Sequence, residues 1–278
     1  MRWPSLAPSL WIGFTAALLC ATYAFLYVPI VHVALASVST NTMWPYPPRW
    51  STAAYTALIH NRVYLEALMN SAIIGLATAA LSTALATAAI FGLMRYPGRH
   101  RGKLLLLYLA PLFVADIVLG ISTMVFTSLF MGIGGNLAVA ILANAVRCFT
   151  YAFLIIAVQL YRYDWRLNDA AMVFGATPVQ AFREVTLPLA APALFSASLS
   201  TFILSFNNLE ISFYLLGATP TLPAVAWGTL RYGIRPELFA VTTLINLAVI
   251  LGFAAILISL KVGRHRRLTQ AEEVRGLT

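Results

Sequence analysis

Charged and amide side chains that fall deep inside long apolar stretches are the first candidates for chemistry in this sequence. Asp116, Arg147, Asn207, Asn208 and Glu210 are such residues, each lying far from the ends of an apolar run. A charge at the centre of a lipid bilayer costs about 2.5–3.5 kcal/mol on insertion scales, so such groups face a protein interior or a water-filled path. Asn207 and Glu210 stand three apart, as do Asn144 and Arg147, and residues at that spacing share one face of a helix. Two readings follow. The groups line a translocation path or its gate, or they pair to lock helices together, Arg147 with Asp116 or with Glu210.

No other constellation carries chemistry. His32, His60, His100 and His265 are scattered, and Cys20 and Cys148 sit singly in apolar surroundings, so neither a metal site nor a disulfide framework is expected. Gly98 to Lys103 has the look of a phosphate loop. Its spacing is one residue short, and neither a hydroxyl residue after Lys103 nor a preceding strand is present. It is better read as a positively charged turn. A membrane enzyme would need a nucleophile and base or a metal cluster at one membrane face, and none is seen. The sequence predicts no catalytic residue and no cofactor held by this chain.

The elements that position these residues follow from composition. Of 278 residues, 60% are hydrophobic and only 10% are charged, against about 25% charged in a soluble domain. That apolar surplus needs a lipid solvent. Six stretches reach the roughly 20 residues that cross a bilayer as helix, near 10–35, 68–94, 104–130, 136–160, 193–217 and 238–260. The expectation is an all-α membrane protein, residues 1–278 forming one transmembrane domain. The first stretch is preceded by Arg2, and Ala34-Leu35-Ala36 resembles a cleavage site. The run exceeds the roughly 7–15 residues of a signal peptide's apolar region, so it reads as a retained helix, with Pro29 expected to bend it. A short interfacial helix is expected within Trp50 to Leu68. Helix two is rich in Gly75, Ala77, Ala79, Ala80, Ala84, Ala86, Ala88 and Ala89, which favours close packing.

Basic residues set the orientation. Arg2, Arg95, Arg99, Arg101, Lys103, Arg162, Arg166, Arg183, Lys261, Arg264, Arg266, Arg267 and Arg275 make thirteen on one side, and Arg49, Arg62, Arg231 and Arg235 make four on the other. That bias places both termini in the cytoplasm. Because the positive charges cluster at the ends of apolar segments, the net charge of +9 points away from nucleic acid.

The cytoplasmic segment 161–192 has internal punctuation. Asn168 or Asp169 is placed to open a short helix, and Gly175 to end it in a left-handed turn. Thr177-Pro178-Val179-Gln180 has the form of a capping box with proline at the first helical position. The second helix is expected to end near Thr186, since Leu187 precedes Pro188. Helix, turn, helix makes a compact knob.

These residues resemble the EAA loop of ABC-importer permeases. Asp169-Ala170-Ala171 is followed by three residues, Gly175, nine residues and Val185-Thr186-Leu187-Pro188. The departures are Asp for Glu and Val for Ile. The resemblance implies a six-helix permease of the type I, binding-protein-dependent class, in the bacterial cytoplasmic (inner) membrane. It also implies that Asp169, Ala170, Ala171, Gly175 and Ala176 dock on a partner ATPase, which binds the ATP and Mg. The implied partners are two cytoplasmic ATPase subunits, a second permease subunit and an extracytoplasmic substrate-binding protein. Ser205, Ser212, Phe213, Thr221-Leu222-Pro223 and Pro236-Glu237 further resemble the spermidine/putrescine permease branch, which implies a polyamine-like cation as substrate. Asn207-Asn208 replace the acidic pair of that branch. That departure leaves room for aminoalkylphosphonate, thiamine, ferric iron or another small solute. A stand-alone ion-coupled transporter using Asp116 and Glu210 as relays is the other class, but the inverted repeats common in such carriers are not seen.

Overall fold

A computed structural model describes residues 8–40, 50–95, 98, 100–160, 163–164, 166–217, 219–233 and 235–275. Arg2, Arg49, Arg99 and Arg162 of the charge bias lie outside the described residues. So do the side chains of Arg95, Lys261, Arg264, Arg266, Arg267 and Arg275. The described chain is almost wholly helical and divides into two compact units, one of residues 62–228 and one of the two ends, 1–61 with 229–278.

In the unit formed by the chain ends, α1 (Pro8–Ser37) packs along α12 (Pro236–Arg275), and a short α2 (Ala53–His60) also lies against α12. The Ser37 hydroxyl and the Tyr55 phenol hydrogen bond at 2.8 Å, which ties the end of α1 to α2. Within Trp50 to Leu68 the short separate helix is Ala53–His60. Asn61 interrupts the helix, and the next one starts at Arg62, six residues before the expected position.

The larger unit is built on three helices: α3 (Arg62–Arg95), α6 (Leu137–Leu160) and α9 (Leu187–Phe206). Ala67, Ser71, Ile74, Thr78, Ser82, Ala86, Ile90 and Leu93 recur every three or four residues along α3, and all are buried. Facing them are Ala140, Ala143, Cys148, Ala152 and Ile156 of α6 and Ala190, Ala193, Ala197, Thr201 and Ser205 of α9. Helices in lipid gain little from burying apolar area and associate through close van der Waals packing, which small side chains permit. Of the small residues of helix two, Gly75, Ala79 and Ala86 pack inside this chain, whereas Ala80, Ala84 and Ala88 are exposed. A Cβ at Gly75 would lie 3.0 Å from the Phe202 ring of α9.

Among the described residues, four helices are long and apolar enough to cross a membrane: Trp11–Ser37, Arg62–Met94, Leu137–Leu160 and Pro178–Phe206. The third apolar stretch is not one helix. It consists of α4 (Arg101–Leu109), a 3-10 turn (Ala110–Phe113) and α5 (Asp116–Phe130), with a bend of 94°. Pro111 cannot donate a backbone hydrogen bond, and Val114 and Ala115 are extended, so the ladder lapses before Asp116 opens a new helix. The fifth stretch is also broken. α9 ends at Phe206 and α10 (Glu210–Leu216) follows after Asn207, Asn208 and Leu209. Gly135 lets α10 close on the start of α6: a Cβ there would fall on the Leu215 carbonyl, 2.8 Å from its carbon. In the sixth stretch, Pro236–Gly252 is the apolar portion among the described residues.

Candidate functional site

The two helix breaks meet. Asp116, the first residue of α5, stands against Arg147 of α6, with Nε to Oδ1 at 2.7 Å. The other carboxylate oxygen accepts a hydrogen bond from Asn208 Nδ2 at 3.0 Å. Asn208 is itself buried, and its Oδ1 accepts from the Ile211 backbone N–H at 2.9 Å. That is the geometry of a side-chain helix cap, so the amide that interrupts α9 also opens α10. The break also frees a carbonyl. The N–H of Asn208 turns to Ser205 O, and Arg147 Nη1 donates instead to Leu204 O at 3.4 Å. The guanidinium lies 5.8 Å from the Tyr151 ring centroid, within cation–π range.

Arg147 therefore holds three elements: the start of α5, the end of α9 and its own helix. With side chains only 17% (Arg147) and 23% (Asp116) exposed, the pair is largely removed from solvent. Of the two partners open to Arg147 from sequence, the structure selects Asp116. Glu210 and Asn207 are exposed, and because Asn207 to Leu209 are not helical they do not share a helix face as the spacing predicted. Asn144 does lie one turn before Arg147 on α6. It is buried and donates to Ala140 O at 2.9 Å.

The knob has the predicted outline with different internal contacts. The short helix α7 (Arg166–Val173) is opened by Asp164, whose Oδ1 accepts from the Arg166 N–H at 3.0 Å. Neither Asn168 nor Asp169 caps it. Asn168 points inward, 5% exposed, and its Oδ1 accepts from the Tyr163 phenol at 2.9 Å and the Thr186 hydroxyl at 2.8 Å. Gly175 has φ +94°, the left-handed region. Around it the Gly175 N–H bonds Met172 O and the Ala176 N–H bonds Ala171 O, the paired bonds of a Schellman turn. The capping box follows: Gln180 N–H donates to Thr177 Oγ1 at 3.3 Å, and Thr177 N–H donates to Gln180 Oε1 at 2.8 Å.

The second helix does not stop near Thr186. α8 (Pro178–Ala181) passes through a π-helical segment, Phe182–Thr186, into α9. The Leu187 N–H reaches back to Phe182 O. Adding one residue to the turn places Pro188 where its missing N–H and ring are accommodated, which an α-helical run would not allow. The knob and a membrane helix are thus one continuous element, with Asn168 fastening α7 to its side.

Removing that fastening has a defined cost. Thr186 is fully buried. Thr186→Val keeps its shape but removes the donor to Asn168, which should cost about 1–3 kcal/mol locally. Hydrogen–deuterium exchange should then speed up across residues 166–173, and Thr186→Ser should restore slow exchange. Unchanged exchange in the valine variant would show that the contact does not hold α7.

Asp169 and Ala170 are exposed on α7, with Ala171 and Ala176 partly covered. Beside them three apolar side chains stand in solvent: Val173 is 84% exposed, Phe174 91% and Val179 73%. Sequence reasoning passed over all three. The signal available was the apolar run Met172-Val173-Phe174 inside an otherwise polar loop.

Across 243 residues this chain is 33% identical to the putrescine transport system permease protein PotI of Escherichia coli (strain K12), covering 84% of this chain and 86% of PotI. The chain belongs to the ABC-importer permeases, in their spermidine/putrescine branch. It is also 28% identical to the spermidine/putrescine transport system permease protein PotC of Haemophilus influenzae, covering 89% of this chain and 95% of PotC. No family profile matches it. Its fold is that of a bacterial ABC transporter involved in the import of the acidic polysaccharide alginate, with a TM-score of 0.72 at 17% identity, covering 92% of this chain and 98% of the other. In this permease, Ser205 and Ser212, which carry part of the branch resemblance, are both buried on either side of the break at Asn208.

Proposed function

We propose that this permease moves a polyamine-like cation inward across the bacterial cytoplasmic membrane by alternating access driven by a partner ATPase. The single observation that carries the reading is the exposed knob: a rigid helix–turn–helix with an apolar tip, continuous through Phe182–Thr186 with membrane helix α9. A force applied at the knob acts on α9 directly, and through Leu204 O and Arg147 on the α5–α6 pair. Asp169, Ala170, Ala171, Gly175 and Ala176 make the small-residue docking face, and Phe174 its anchor. ATP and Mg belong to the two ATPase subunits. A second permease subunit completes the membrane part, all of this chain forming one functional domain with its termini in the cytoplasm. An extracytoplasmic binding protein delivers the solute.

The polyamine reading rests on the likeness to PotI and PotC. Asn207-Asn208 in place of an acidic pair favours, as the second reading, the same machinery working on another small solute. Uptake of labelled putrescine and spermidine by vesicles carrying the complex, purified through a tag on this chain, tests both. ATP-dependent accumulation is expected. A complex that contains no ATPase would overturn the importer reading, and one that hydrolyses ATP without accumulating either amine would overturn the substrate.

A further inference from the structure

Near the break that holds Asn208, a cavity of about 160 Å³ is lined by Ile117, Leu209, Glu210, Phe213, Tyr214 and Trp227. Its walls are aromatic and its one charge is a carboxylate. Phe213 meets Tyr214 at 90° with centroids 5.5 Å apart, and meets Trp227 at 71° and 5.8 Å. Rings set nearly at right angles form a corner rather than a flat stack. Cations are attracted to ring faces by the ring quadrupole, most strongly over tryptophan.

The charges nearby decide what such a corner can take. Asp116 has both oxygens engaged, one by Arg147 and one by Asn208. Glu210 is exposed, and among the described residues no cation pairs with it. A carboxylate left without a cationic partner beside three aromatic rings is open to a ligand of opposite charge. An anion is repelled. A metal ion would need several hard ligands, and among the described residues no cluster of three His, Cys, Asp or Glu exists. The cavity holds several waters' worth of space, enough for a short aliphatic amine.

We propose that Glu210, Phe213, Tyr214 and Trp227 bind an alkylammonium group of the transported solute, the carboxylate supplying charge and the rings a desolvated cation–π wall. This rests on the polyamine reading and gives it a place in this chain. Asp116, by contrast, has no free oxygen to offer the solute.

The test places a thiol in the cavity wall. Ile117→Cys in a Cys20→Ser background leaves Cys148 as the other cysteine, and Cys148 is fully buried. In the complex purified through a tag on this chain, the cationic-to-anionic ratio of methanethiosulfonate labelling rates at Cys at position 117 should exceed the ratio the same two reagents show with a free thiol by about tenfold. Adding Glu210→Gln should return that ratio to the free-thiol value, and Glu210→Asp should keep it raised. Millimolar putrescine should slow labelling, whereas 1,4-butanediol should not. Labelling that ignores putrescine in a complex that still imports it would overturn the site and leave the polyamine reading standing. A complex that imports no polyamine removes that reading and this site together. No labelling at all would show that the cavity is closed to water and would also overturn the proposal.

Discussion

Replacing Arg147 by leucine is expected to deplete the folded permease from membranes, with a loss of about 3–5 kcal/mol in stability. The carboxylate of Asp116 would remain, about three-quarters buried and held only by Asn208, and Leu204 O would lose its donor. Leaving one partner of a buried pair unpaired costs far more than the pair contributes when intact. Asp116→Asn should be milder, since its one amide oxygen can still accept from Arg147 or from Asn208, though not from both. The double variant Asp116→Leu with Arg147→Leu should recover much of the loss, because two apolar side chains leave no charge stranded. Membrane abundance and thermal unfolding in detergent measure all three. If the leucine variant at 147 alone were as stable as the native chain, the ion pair would not hold the helix breaks together. The exchanged pair, Asp116→Arg with Arg147→Asp, separates the two roles. Assembly with uptake means pairing suffices, and assembly without uptake means the native polarity serves the path.

How this pair came to be only half legible in the sequence has a physical cause. Hydropathy over a window of about 20 residues reports where lipid surrounds the chain, and it placed α6 well and the end of α3, whose start lies six residues earlier than expected. It averages over one or two polar residues, so it could not see that Asn207-Asn208 end a helix or that Val114-Ala115 are extended. The three-residue rule that put Asn207 and Glu210 on one face holds only inside an unbroken helix. Local backbone chemistry was read more reliably. The Thr177–Gln180 box, Pro178 and the left-handed Gly175 each depend on neighbours within a few residues, and all three are present. Asn168 was misread for the opposite reason. Its type fits a cap, but its two hydroxyl partners come from Tyr163 and from Thr186, 18 residues away. A contact at that separation leaves no spacing to detect. The same holds for Pro188, whose effect on helix was overridden by a π segment that no propensity scale marks.

The second large effect is expected at the tip of the knob, where surface and turn can be separated. Phe174 is 91% exposed and its neighbour Val173 84%. Exposed apolar side chains grouped in this way mark an interaction surface. Phe174→Asp removes no internal contact of consequence, so the chain should reach the membrane at native levels. If the tip anchors the ATPase, the loss of a buried aromatic anchor is worth about 2 kcal/mol or more, roughly a 30-fold weaker association, and an unpaired carboxylate adds to it. Co-purification of the ATPase should collapse and uptake with it. Gly175→Asp acts by another route. A Cβ there meets nothing within 4 Å, so space is not the obstacle. At φ +94° any side-chain-bearing residue is strained, and the turn that aims Thr177 and α8 must shift. That variant should keep some bound ATPase and hydrolyse ATP while failing to import. A Phe174→Asp permease that retains its ATPase and imports normally would show that the knob is not the point where force enters. Retained hydrolysis with normal import in the Gly175→Asp permease would show that the geometry of the turn does not matter to coupling.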